Sequence, residues 1–69
     1  MKDMKKLIAA NQEYDLLAKT LRGLIAEDNR IVFDAIYPIY EAAKVRLEKI
    51  GGFNMVDASI NHYYGKGER

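Results

Sequence analysis

The chain has no cysteine and no tryptophan, one histidine and one proline. Without cysteine there is no disulfide framework, no thiolate metal site and no cysteine nucleophile. His62 has no second histidine or thiolate with which to hold a metal. Neither sign of charge dominates: 11 Lys+Arg face 10 Asp+Glu, a net +1. Dedicated nucleic-acid-binding domains are strongly basic, so this balance argues against that class. No apolar run approaches the roughly 18 residues of a transmembrane helix, and no signal-peptide pattern is visible. Gly-rich phosphate loops, Walker patterns and paired catalytic carboxylates are also missing. These absences predict a cytoplasmic protein that is not an enzyme, with no cofactor, no metal and no membrane partner.

What remains is 69 residues, 49% apolar and 30% charged, the composition of one folded domain spanning 1–69. A chain this short buries only about 60% of its unfolded surface, which leaves stability marginal. Small proteins compensate with disulfides, metals, very regular helix packing or oligomerisation. The first two are closed to this sequence, so helix packing and self-association are the expected routes.

The apolar pattern is helical. Leu7, Ala10, Tyr14, Leu17, Leu21 and Leu24 recur at spacings of three and four, with Ala18 and Ile25 widening the seam. They predict a first helix over residues 3–26. Glu27-Asp28-Asn29 breaks the pattern, and Asp28 or Asn29 can cap the next helix. Phe33, Ile36, Tyr40, Ala43, Leu47 and Ile50 repeat the same spacing and predict a second helix over 29–50, stopped by Gly51-Gly52. The phase runs unbroken through Pro38, so the proline is expected to kink that helix and not to end it. Asn54 as a cap, Asp57 in the first turn and Val56, Ile60 and Tyr63 on one face predict a third, short helix over 55–64. Gly65 would end it and leave 65–69 as a flexible tail. The expectation is an all-α fold, a small bundle of two long antiparallel helices and one short one.

The second helix carries more apolar surface than two neighbours need, from Ile31, Ala35 and Ala42 through Val32 and Ile39 to Phe33 and Tyr37. On the first helix, Leu16 stands opposite the seam, beside the small residues Thr20 and Gly23. Such surplus marks protein contacts. It predicts a protein-binding module that self-associates, with a dimer favoured, and that regulates or inhibits a larger protein through helix packing. The contact candidates are Tyr37, Tyr40 and Arg46, residue types enriched at interface hot spots, together with Leu16 and Ile39. Arg46 lies inside the apolar arc, where it either snorkels or meets an acid such as Asp57.

A rival reading uses the C-terminal Tyr63, Tyr64 and Lys66 to stack and neutralise a nucleic acid or nucleotide. Asp34, Glu41 and Glu48 recur every seven residues and read as a solvated face with local ion pairs. His62 has Ser59 and Asp57 nearby, but their helical spacing does not align a Ser-His-acid relay.

Overall fold

The computed structural model describes residues 4–51 and 56–67. It contains three helices, α1 Met4–Ala26, α2 Arg30–Gly51 and α3 Ala58–Gly67, and no strand among the described residues. The all-α bundle expected from the two seams is therefore the observed architecture. No helix among the described residues is long and apolar enough to cross a membrane.

A Schellman motif ends α1. Asn29 N–H bonds the Leu24 carbonyl at 2.9 Å and Asp28 N–H bonds that of Ile25 at 3.0 Å. This closure needs a left-handed residue, normally glycine. Asp28 occupies it with φ 55°, which a short polar side chain tolerates better than most. Asn29 then caps α2, its Oδ1 accepting from Val32 N–H at 3.3 Å and its carbonyl from Phe33 N–H at 3.0 Å. Two residues thus finish one helix and start the next, and this short turn folds α2 back along α1.

The antiparallel register is fixed by Tyr14, whose ring centroid lies 5.4 Å from that of Tyr40, and by Arg46, which reaches Glu13 at 2.7 Å. Helix α2 runs through Pro38 without interruption. Pro38 is solvent-exposed, where water can satisfy the carbonyl it frees.

Helix α3 begins three residues later than the sequence suggests. Asp57 is its cap and not a first-turn residue: Oδ1 accepts from Ile60 N–H at 3.2 Å and the carbonyl from Asn61 N–H at 3.0 Å. Asp57 also pairs with Arg22 at 2.7 Å, which ties the start of α3 to α1. The expected cap Asn54 lies outside the described residues. Gly65 does not end α3, which continues to Gly67.

The core is one cluster: Ala10, Tyr14, Ala18 and Leu21 from α1, Phe33, Tyr40 and Leu47 from α2, Ile60 and Tyr63 from α3. Ala43 is buried beside them. The buried stripe of α1 is rotated from its seam toward Ala18, leaving Leu17 and Leu24 only half-buried. The contacts to Asp57, Tyr63 and Tyr64 come from Arg22, Asp28, Arg30, Phe33 and Tyr37, so α3 lies on one flank of the α1–α2 hairpin. Among the described residues no third helix covers the other flank.

Candidate functional site

All five tyrosines join Phe33 in one aromatic cluster at the covered flank. Tyr63 meets Phe33 edge-on, with centroids 4.7 Å apart, and Tyr64 stacks on Tyr37 at 4.0 Å and 8°. Arg30 closes the cluster. Its guanidinium carbon lies 4.1 Å from the Tyr63 centroid and 5.4 Å from that of Phe33. Its nitrogens donate to the Tyr63 carbonyl and, at 3.2 Å, to Asp34. The cation therefore sits near the negative end of the α3 dipole, over two ring faces. Sequence reasoning missed Arg30. Its only local signal was the four-residue spacing to Asp34, and its main partner is 33 positions away.

The hydroxyls of Tyr14, Tyr37, Tyr40 and Tyr63 are committed to the fold. Tyr63 donates to Asp28 Oδ1 at 2.7 Å, and Tyr37 donates to Glu41 Oε2 at 2.7 Å. Tyr14 and Tyr40 hydroxyls lie 3.4 Å apart in the interior. Burial, then the Tyr14 hydroxyl, pushes Tyr40 far above the usual phenol range. The bond to Asp28, then desolvation, raises Tyr63. Both shifts favour the neutral phenol in the folded state. Their contribution to stability is complete below the ordinary phenol pKa of 10.0 and is lost as pH rises above it. The melting temperature is expected to be level as pH approaches 10 and to fall steeply beyond it. Tyr63→Phe should shrink the fall, and an unchanged alkaline profile in that variant would refute the role of the Asp28 bond.

This geometry sorts the candidate contact residues. Tyr40 is fully enclosed, with 0% exposure, so it is a core residue of the single chain and is withdrawn as a contact. Tyr37 is half-buried in the aromatic cluster. Arg46 is exposed and paired with Glu13, not with Asp57. In the rival set, Tyr63 is buried and Tyr64 half-buried against Tyr37, so the rings on which a base would stack already pack within the protein. Lys66 is exposed and lines a shallow depression with Asn61, His62 and Gly65. Among the described residues no group of His, Asp and Glu side chains could hold a metal ion.

Leu16 and Ile39 stand out in solvent at 66% and 54% exposure, and Ile31 at 84%. Helical phase places Leu16, Leu17, Thr20 and Leu24 of α1 beside Val32, Ala35, Ile39 and Ala42 of α2 on the uncovered flank. The Thr20 hydroxyl donates to the Leu16 carbonyl at 2.8 Å, so covering this surface strands no hydroxyl proton. At the end of the hairpin away from the α1–α2 turn, the flank opens into a recess of about 270 Å³ lined by Lys6, Ala9, Ala10, Glu13, Arg46 and Ile50. The recess escaped the sequence reading. Leu17 and Leu24, which the seam assigned to the core, pack against it and are half-buried, because α3 covers the opposite flank.

No family model, no curated protein and no solved structure matches the chain.

Proposed function

We propose that this protein is a protein-binding module that acts through helix packing and regulates or inhibits a larger protein. The observation that carries the reading is the uncovered flank of the hairpin. There Leu16, Val32 and Ile39 are left in water while the core is closed without them. Transferring apolar surface out of water contributes about 25 cal/mol per Å², so a flank of this kind favours a partner. Scattered apolar residues on a surface are ordinary, but a contiguous strip on two adjacent helices is the usual mark of a contact surface. The polar groups within it support the same reading: the Glu13–Arg46 pair and the Thr20 bond are already made. Leu17 and Leu24 pack against the core from the inner edge of this flank, whereas Leu16 and Ile39 lie farther out and leave their side chains available for recognition.

Comparing variants as bait in native lysate tests the reading. Ile39→Glu should lose at least about tenfold of the captured partner, since an unpaired carboxylate would be buried in the contact. Tyr64→Ala combined with Lys66→Ala should retain the partner, and retention should survive added salt. Capture that tolerates Ile39→Glu but fails with the Tyr64 and Lys66 changes, and weakens steeply with salt, would instead establish nucleic-acid binding.

A further inference from the structure

Resting on the reading of the uncovered flank as a protein-contact surface, we infer that its occupant is a second copy of this chain. The two copies pack flank to flank with α1 antiparallel to α1 and α2 antiparallel to α2. A two-fold axis perpendicular to the helices crosses the flank between Leu16 and Leu17 on α1 and near Ile39 on α2.

The placement follows from register. The Tyr14–Tyr40 and Glu13–Arg46 contacts bring residues 16–17 of α1 level with Ile39 to within about one helical turn. An axis there makes each half of α1 face the other half of its counterpart. Lys6 and Glu27 are equidistant from the midpoint between Leu16 and Leu17, as are Ala9 and Leu24, and Glu13 and Thr20. An ammonium therefore faces a carboxylate, and a small residue faces a large one. The recess floored by Ala9 and Ala10 lies where Leu24 of the second copy would seat, with Lys6 at its rim.

The opposite arrangement, with the axis parallel to the helices, would bring Lys6 of both copies to one end and Glu27 of both to the other, and like charges oppose it. Size is also consistent. The flank spans residues 6–27 of α1 at about 1.5 Å per residue and is two helices wide, roughly 500 Å² per copy. Two such faces bury about 1,000 Å², the lower bound for a specific interface, as a weak, reversible dimer would. Four helices would then form a central layer with α3 outside on each copy, and the burial that one 69-residue chain cannot supply comes from its twin.

Sedimentation velocity over a dilution series of the full chain tests the inference. The expected wild-type result is a species of twice 7.9 kDa that dissociates on dilution. Ile39→Glu should raise the dissociation midpoint at least about tenfold. Lys6→Glu and Glu27→Lys should each raise it about threefold, and the two together in one chain should restore it. Within one chain these residues are about 30 Å apart, beyond direct interaction, so recovery must arise between copies. Each single change also places the charge that suits its end of α1, so weakened assembly cannot be blamed on a weaker helix. Circular dichroism checks that each variant stays helical.

A chain that remains 7.9 kDa at millimolar concentration overturns the inference. If that monomer still captures a lysate protein in an Ile39-dependent way, the contact-surface reading stands without it. A dimer indifferent to Ile39→Glu overturns the inference that the second copy sits on this flank, and one that responds to Ile39→Glu but shows no charge-swap recovery overturns the antiparallel second-copy arrangement.

Discussion

Replacing Phe33 with alanine is expected to leave the chain largely unfolded at 25 °C. The ring is fully buried and touches the rings of Tyr37 and Tyr63, with the Arg30 guanidinium near it. Phe→Ala in a packed core costs about 3–5 kcal/mol, from lost transfer energy and the cavity left behind. Domains carry about 0.05–0.15 kcal/mol of stability per residue, or roughly 3–10 kcal/mol for a chain of this length. The loss is therefore comparable to the whole stability. It acts on all three helices, because Phe33 joins the α1–α2 core to α3. Phe33→Leu retains most of the apolar volume and should stay folded. Urea titration followed by circular dichroism distinguishes the outcomes. A Phe33→Ala variant within about 1 kcal/mol of wild type would show that the three helices do not share one cooperative core.

Arg30→Ala is expected to cost about 2–3 kcal/mol, a large effect for a residue that is 30% exposed at its side chain. Three interactions end together: the donor to the Tyr63 carbonyl, the cation over two rings and the pair with Asp34. The Asp34 pair contributes least, a few tenths of a kcal/mol, as exposed pairs at this helical spacing do. Arg30→Lys should lose nearly as much as alanine. A lysine ammonium has no planar fork with which to lie on a ring while bonding a carbonyl and a carboxylate. The loss should concentrate in α3, whose amide hydrogens would exchange faster than those of α1 and α2. Equal acceleration in all three helices, or a lysine variant as stable as wild type, would contradict the clamp.

The long helices were legible because their apolar spacing is periodic and their joint carries strong local signals. Asn29 caps α2 as its chemistry suggests, and only the left-handed Asp28 gave no warning in place of the usual glycine. The third helix was harder for a physical reason. Sequence favoured Asn54 as the cap with Asp57 in the first turn, and only the tertiary pair with Arg22 shows why Asp57 takes the capping position. Gly65 reads as a terminator, yet α3 passes through it, with Arg30 bonding the Tyr63 carbonyl one turn from the helix end.

The candidate contacts divide in the same way. Leu16 and Ile39 stood out because each is apolar at a position its helix does not need for the core. Tyr37 and Tyr40 were chosen by residue type, and residue type does not reveal that five tyrosines converge on one another. Arg46 looked misplaced within the apolar arc until the antiparallel register supplied Glu13 from 33 residues away. Contacts of that separation depend on how two helices align, which periodicity within either helix cannot give.

The most direct test of the contact surface is a comparison of ¹³C-methyl NMR spectra of the labelled chain, dilute in buffer and in concentrated native lysate. Engagement through the uncovered flank should shift or broaden the methyl signals of Leu16, Leu17, Val32 and Ile39. Those of Leu21, Leu47 and Ile60, sealed in the core, should hold their positions. Spectra in which the four flank residues are unmoved, with changes confined to Val56 and the α3 side of the molecule, would contradict it.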